Sequence, residues 1–202
     1  NAVEYDLEHL APLSSPRLVV YATRVEENIC LMRRYLESVV PGSGFQHLAP
    51  HVKTHKSAWA TSLLLQSGVR SFKCTLNEIA MLLQSGAPDI FVAYPMLATD
   101  ADRWAQWVVQ YRDRRLCAQV GNPQHADFLS QAGRGYGVQL DCLIDLAVGY
   151  HRSGAAPEQA SDLMRYIARL GNLHVKGLHA YAGHNASPDP EERAKCSRDS
   201  ME

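Results

Sequence analysis

Short β-rich runs alternate with longer segments of helical periodicity along almost the whole chain, and this order limits the possible folds most strongly. Such an alternation predicts βα units that build a parallel sheet flanked by helices. The runs are mostly apolar, which is typical of strands that are covered on both faces. The predicted strands are 17–22, 47–53, 71–74, 89–95, 115–120, 138–148 and 174–181.

The segments between the strands carry recognisable helix ends. Two of them finish in the same letters, Leu-Leu-Gln-Ser-Gly, at 64–68 and 82–86, and Ser-Gly is a typical helix stop. The spacing of 18 residues between these copies favours successive βα units of one barrel over a solenoid. Thr75, with Glu78 three residues later, predicts a capping box. The glycine-rich stretch 133–137 precedes a strand, so we interpret it as a turn and not as a phosphate-binding loop.

The number of strands leaves two architectures open. A closed barrel of eight βα units needs about 250 residues, whereas this chain has 202. Six strands remain if the first run, 17–22, is set aside. We therefore expect either an open α/β sheet or a barrel without its last part.

Composition excludes several classes of function. Twenty basic and 21 acidic residues leave a formal charge of -1, which gives no electrostatic support for binding nucleic acid or a membrane surface. The five cysteines include no Cys-x-x-Cys pair, which argues against a disulfide scaffold or a cysteine zinc site and suits a reducing compartment. No apolar span reaches about 18 residues, so we expect a cytoplasmic protein. Because the chain begins at Asn1, we also expect it to be processed or a fragment.

Two lysines near the end of the predicted strand 47–53 are the strongest chemical signal. Side chains alternate along a strand, so Lys53 would share the inward face with His51 while Val52 faces the helices. Lys53 would then point into the C-terminal mouth of the barrel, where active sites of such barrels form. Burial there would lower its pKa and make it a nucleophile able to form a Schiff base. Periodicity alone leaves open the alternative that Lys53 and Lys56 are both surface residues next to a turn.

Four motifs in a fixed order extend over nearly the whole chain. They are PHVKTHKS (50–57) with the upstream segment 15–34, then 69–95, GYHRSG (149–154) and 177–196. Together they resemble the D-threonine aldolase and D-serine dehydratase group, which are fold-type III pyridoxal phosphate (PLP) enzymes. The resemblance implies a (β/α)8 TIM-type barrel of the alanine racemase N-terminal domain type, incomplete here with about six barrel strands. Residues 1–22 would then provide an N-terminal strand for a C-terminal β-domain that is absent from this chain, and residues 23–202 would form the partial PLP-binding barrel.

The resemblance also assigns roles to individual residues. Lys53 would carry the cofactor covalently, Arg152 would reach the phenolic oxygen of its ring, and Tyr181 would lie against the ring face. His51 would line the site below the ring. The competing interpretations are that Arg152 forms a surface ion pair and that Tyr181 is a core tyrosine.

Two further histidines lie in loops that we expect at the same mouth. His55 and His184 are candidates for contacting the substrate carboxylate or hydroxyl. We find no metal-binding motif in this chain; the resemblance implies a divalent metal, Mn or Zn, bound by the C-terminal domain. Gly121, Ala147 and Ala182 occupy positions where the family commonly has acidic residues, which indicates either altered substrate preference or tolerated drift.

The resemblance implies a specific activity for the full-length protein. We expect a lyase that acts on D-configured β-hydroxy amino acids, most closely a D-threonine aldolase that yields glycine and an aldehyde, and a homodimer. The alternatives are a D-serine dehydratase and a non-catalytic PLP-binding protein or inactive remnant. We expect these 202 residues alone to be inactive and to aggregate, because a partial barrel exposes sheet edges and apolar interior.

Overall fold

A five-stranded parallel sheet with helices between its strands forms the body of the molecule. The computed structural model describes Ser14, Pro16, residues 18–150 and residues 152–200. The strands are β1 (Ser71–Cys74), β2 (Asp89–Pro95), β3 (Arg115–Val120), β4 (Leu140–Leu146) and β5 (Leu173–Ala180). The helices are α1 (Ala22–Val39), α2 (Ala58–Gln66), α3 (Ile79–Gln84), α4 (Ala98–Gln110), α5 (Pro123–Tyr136), α6 (Ala160–Leu170) and α7 (Pro190–Asp199). Short 3-10 helices cover Val52–Thr54, Leu76–Glu78 and Pro157–Gln159.

The strands lie side by side in chain order, and every neighbouring pair is parallel. Sequential order with a helix after each strand is the arrangement of a βα barrel. The predicted α/β architecture is therefore confirmed. Within the described residues the sheet does not close on itself, so β5 has no further strand beyond it.

The predicted strand 47–53 is wrong in its extent, because only one residue of it pairs with the sheet. His51 forms an isolated parallel bridge with Lys73, next to a hydrogen bond of 2.9 Å from the Lys73 backbone N–H to the carbonyl oxygen of Pro50. The chain then turns into the 3-10 helix Val52–Thr54, whose start is capped by the imidazole of His51. Only Pro50 and His51 of this segment therefore pair with β1, at the edge of the sheet.

Two other local predictions differ from the structure. Residues 18–21 belong to no strand among the described residues, and α1 starts at Ala22. The predicted pairing of 1–22 with a C-terminal β-domain stays a prediction, since 1–13, 15 and 17 lie outside the described residues. The stretch 133–137 is not a separate turn: its first four residues complete α5, and only Gly137, at a φ of 64°, terminates the helix in the left-handed conformation.

The two faces of the sheet differ in chemistry. The face toward the helices is apolar and buried, and burying each large aliphatic or aromatic side chain contributes about 1.5–3 kcal/mol. Its residues are Phe72, Cys74, Ile90, Val92, Leu116, Ala118, Val120, Leu140, Cys142 and Ile144. The opposite, inner face carries Ser71, Lys73, Asp89, Phe91, Cys117, Gln119, Asp141, Leu143 and Asp145. The expectation of apolar strands on both faces is thus wrong for the inner face, where a barrel interior can hold hydrogen-bonded polar groups.

The predicted helix ends are confirmed where they depend on local chemistry. Gly68 and Gly86 follow α2 and α3 with φ of 101° and 83°. The Thr75 and Glu78 side chains form the predicted capping box at the end of β1. Among the described residues, no helix combines the length and hydropathy that a membrane crossing requires.

Candidate active site

The loop that follows β4 is folded back onto the end of its own strand. The Ala155 N–H donates to the Asp145 carbonyl and the Ala147 N–H donates to the Ala155 carbonyl, both at 2.8 Å. Gly154 makes this close return possible, because it has a φ of +104° and a Cβ there would lie 2.8 Å from the Leu146 carbonyl carbon. The loop is therefore held at the C-terminal end of the sheet, the end where barrel active sites form.

Arg152 extends from this loop and lies against two aromatic rings that also contact each other. Its guanidinium carbon is 5.3 Å from the centre of the Tyr150 ring and 5.2 Å from that of Tyr181. The two rings meet edge to face at 5.5 Å. Among the described residues, no carboxylate lies within ion-pair distance of Arg152. The cation is thus held by ring faces, which leaves its N–H donors free of an anionic partner in the described part of the chain.

Tyr181 directly follows β5 and reaches the mouth because of an irregularity in that strand. The register between β4 and β5 shifts by one residue, so that Val175 pairs with Cys142 and Gly177 pairs with Leu143. Val175 therefore lies on the face that carries Cys142, whereas Gly177 and Tyr181 share the opposite face. The Tyr181 side chain is 47% exposed, which argues against a core role.

Lys53 lies at the same end of the sheet, but it is exposed instead of buried. The strand that would have carried it inward ends at His51, and the 3-10 helix turns the backbone away from the sheet. The predicted burial of Lys53 is wrong for this reason. Lys56 is also exposed, as expected, and has a left-handed φ of 47°.

His51 is half-buried beside Lys53. Burial lowers the pKa of the His51 imidazole, and the positive charge of Lys53 lowers it further, while Glu78 acts in the opposite direction. Smaller downward effects on the same pKa come from Lys73 and Arg152, so both charges lie within electrostatic reach of His51. Its Nδ1 accepts the Lys53 backbone N–H at 3.3 Å. In this hydrogen bond the His51 ring is neutral and carries its proton on Nε2. The ring also lies within electrostatic reach of Arg152.

The structure separates the two loop histidines. His55 faces the outer groove under α1, near Phe45 and Trp59, where its Nδ1 accepts the Ser57 N–H at 3.1 Å. It does not line the mouth, so the predicted substrate contact by His55 has no support in this geometry. His184 is exposed and its ring lies against Gly149 of the β4 loop, beside the mouth.

The sequence analysis missed a polar cluster on the inner face just below the mouth. The buried carboxylate of Asp145 contacts Gln119, Ser153 and His179. An acidic residue inside the apolar run Leu143–Leu146 was the signal that could have revealed it. The half-buried amine of Lys73 lies 6.0 Å from the centre of the Phe91 ring, and burial lowers the pKa of this amine while the charge of Asp145 opposes the shift.

The part of the chain that the structure describes offers no group of three or more His, Cys, Asp or Glu side chains placed to hold a metal ion. A metal site can therefore not be assigned to described residues.

This chain is similar to known proteins that are named as aldolases or dehydratases of D-amino acids. A D-threonine aldolase from Arthrobacter sp. is 25% identical over 179 residues, which are 86% of this chain and 45% of that protein. The crystal structure of D-threonine aldolase from Filomicrobium marinum matches with a TM-score of 0.80 at 20% identity, covering 95% of this chain and 51% of that one. A D-threo-3-hydroxyaspartate dehydratase from Delftia sp. HT23 gives a TM-score of 0.75 at 23% identity and covers 95% and 52%. The chain thus spans about half the length of these proteins.

The family itself follows from a match that covers most of the chain. The alanine racemase N-terminal domain matches residues 22–199, from the start of α1 to the end of α7. The chain therefore belongs to the alanine racemase N-terminal domain family.

Proposed function

We propose that the whole protein is a PLP-dependent lyase acting on D-configured β-hydroxy amino acids, with a D-threonine aldolase-like activity. The single observation that carries this proposal is the contact of Arg152, which has no carboxylate partner among the described residues, with the exposed Tyr181 ring at the barrel mouth. Lys53 follows His51 on the neighbouring edge segment, and Arg152 lies within electrostatic reach of His51. Membership of the alanine racemase N-terminal domain family and the named similar proteins support it.

The residues at the mouth fit PLP chemically. Lys53 offers the primary amine that the cofactor aldehyde needs, and Arg152 offers planar donors for an anionic ring oxygen. Ala147, Tyr150, Arg152 and Tyr181 line a small pocket between the β4 loop and the end of β5. PLP, when bound, withdraws electrons from a bond to the substrate Cα.

Each protein group has a defined task in this proposal. Lys53 would hold the cofactor through its side-chain amine. Arg152 would orient the cofactor ring, and Tyr181 would lie beside it. Because the His51 pKa is lowered, its imidazole stays neutral and adds no charge next to Lys53.

A dehydratase is the second candidate, favoured by the similarity to the Delftia enzyme. In that case Lys53 would remove the α-proton and hydroxide would leave from Cβ, giving an oxo acid and ammonia. The aldolase instead requires a base for the β-hydroxyl proton and breaks the Cα–Cβ bond. The divalent metal that the resemblance implies, Mn or Zn, has no ligand cluster among the described residues, so no step is assigned to it.

Turnover by the full-length protein tests the proposal. With D-threonine as substrate we expect glycine and acetaldehyde, L-threonine serving as the stereochemical control and a chelator as the test of metal dependence. Oxo acid and ammonia from D-serine would identify the dehydratase. PLP bound without turnover of either substrate would favour a binding protein, and absence of PLP binding would refute the proposal. Light scattering of the same sample tests the proposed homodimer.

A further inference from the structure

The Asp145 carboxylate contacts three side chains, although the proposed function gives Asp145 no role. It is buried on the inner face of β4, with 3% of its surface exposed. One carboxylate oxygen accepts from Gln119 Nε2 at 2.7 Å and from Ser153 Oγ at 3.0 Å. The other lies 2.7 Å from His179 Nδ1. A buried carboxylate is stable only when such donors replace water, so the cluster is specifically built.

The first oxygen is connected to the loop that carries Arg152. Ser153 is the next residue after Arg152, and its hydroxyl is the side-chain link between this loop and the sheet. The backbone of Asp145 accepts the Ala155 N–H of the same loop. Asp145 therefore holds the loop at two points, once through its side chain and once through its carbonyl.

The second oxygen is connected to the strand that carries Tyr181. His179 lies two residues before Tyr181 on β5, pairs with Asp145 in the sheet register, and is packed 4.8 Å from the centre of the Phe91 ring. A histidine fixed by a carboxylate and an aromatic ring has little rotational freedom. The strand end below Tyr181 is thereby tied to the same carboxylate as the Arg152 loop.

We propose that Asp145 is the positioning residue of the cofactor site, holding Arg152 and Tyr181 at their mutual distance through Ser153 and His179. This inference rests on the proposed function, in which Arg152 and Tyr181 hold the cofactor ring. Asp145 borders the small pocket that Arg152 and Tyr181 also line, but both of its carboxylate oxygens are engaged by Gln119, Ser153 and His179. The titratable groups that face it from other elements are Lys73 on β1 and His179 on β5, with His125 of α5 in electrostatic reach.

Trypsin provides a test that does not need the cofactor, because the Arg152–Ser153 bond is a cleavage site within the loop. In the full-length protein as purified, Asp145→Asn keeps the side-chain size but removes the negative charge and replaces one of the two carboxylate oxygens with an amide NH2 group. We expect cleavage after Arg152 to become about tenfold faster, since local opening controls proteolysis of a folded loop. Ser153→Ala removes one link and leaves the carboxylate, so we expect a smaller acceleration in the same direction. This second variant decides the question if Asp145→Asn does not fold.

Asp141→Asn is the matched control. Asp141 lies on the same strand and face as Asp145, but its partners are His174 and Lys176 at the other end of the sheet. We expect wild-type cleavage after Arg152 in this variant. Equal cleavage rates in wild type, Asp145→Asn and Ser153→Ala would overturn the proposal, as would an acceleration of the same size in Asp141→Asn.

PLP titration followed by absorbance links the positioning role to the cofactor site. We expect Asp145→Asn to weaken PLP binding by about tenfold, similar to the loss of supporting hydrogen bonds behind other ligand-binding residues, and Asp141→Asn to bind like the wild type. If the wild type binds PLP and Asp145→Asn binds it equally well, the positioning role is wrong. If the wild type binds no PLP, the proposed function fails, and the trypsin experiment alone decides the role of Asp145 in holding the loop.

Discussion

At the scale of single residues, the arrangement of Arg152 is the most specific feature of the site. The guanidinium carbon lies 5.2 and 5.3 Å from the centres of two tyrosine rings, within cation–π distance, and a planar guanidinium can still present its N–H groups to an anion. A lysine ammonium cannot reproduce this, since its charge is compact and has no plane to stack. Arg152 therefore depends on its shape as well as on its charge.

Arg152→Lys is expected to weaken PLP binding by about tenfold while keeping the protein folded, because the charge stays and the stacking is lost. The measurement is an absorbance titration of the full-length protein with PLP. Arg103→Lys is the matched control, since Arg103 also stacks on an aromatic ring, Trp107 at 5.4 Å, but on α4. Similar PLP affinities in all three proteins would show that Arg152 does not orient the cofactor.

The sequence pointed to Arg152 and Tyr181 but did not predict the exposure of Lys53, and it wrongly placed His55 at the mouth. The facing argument for Lys53 assumed a regular strand up to residue 53, and Val52 is indeed fully buried on the helix side. The argument failed one residue later, because His51 accepts the Lys53 N–H and starts a 3-10 helix. Asp145 was missed because a buried acid is recognisable only when its partners, from β3, β5 and the β4 loop, are known.

At the scale of elements, the β4 loop shows how the backbone alone can fix a site. The loop returns to its strand so closely that Gly154 has backbone atoms of Leu146 and Ala147 where a side chain would begin. Sequence patterns predicted the ends of α2 and α3 because those depend on local glycines at 68 and 86. The shift in β5 at 175–177 depends on pairing with β4 and left no local signal.

Gly154→Ala is expected to destabilise the protein by at least about 1 kcal/mol, because a Cβ at a φ of +104° meets backbone atoms that cannot move independently. Chemical denaturation of the full-length protein measures this change. Gly135→Ala serves as the control: Gly135 is inside α5 with open space around it, and alanine there is expected to stabilise by about 0.5–1 kcal/mol. An unchanged stability of Gly154→Ala would mean that the loop does not need its close return.

At the scale of the whole molecule, the alternation of strands and helices was enough to predict the fold class, whereas the chemistry of the inner face was not. A barrel interior is lined by residues that alternate with the apolar set, and their polar pairs form only between strands.

Partial burial affects the titration of histidines in three parts of the molecule. Burial lowers the pKa of His51, His55 and His125.

Stability is expected to fall as the pH drops below about 6.5, the pKa of histidine in an unfolded chain. With folded-state pKa values lowered, the unfolded chain takes up protons first, so each such histidine reduces the free energy of unfolding by up to about 1.4 kcal/mol per pH unit below that point. Carboxylates such as Glu78, whose pKa is also lowered, contribute only at lower pH. Urea unfolding at about pH 7.5 and about pH 5.5, on either side of the unfolded-state histidine pKa, measures the effect.

His55→Leu isolates one contribution to this pH dependence. The Nε2 of His55 is buried without a hydrogen-bond partner among the described residues, so an apolar side chain of similar size suits the groove. The variant is expected to lose less stability between the two pH values than the wild type. Identical losses would show that His55 does not titrate on unfolding in this range.

Borohydride reduction of the full-length protein in the presence of PLP, followed by peptide mapping, tests the central claim most directly. Lys56 beside the mouth and Lys73 and Lys176 on the sheet compete with Lys53 for the label. We predict that the reduced cofactor is found on Lys53. Label on Lys56, Lys73 or Lys176, or on no lysine, would contradict the account.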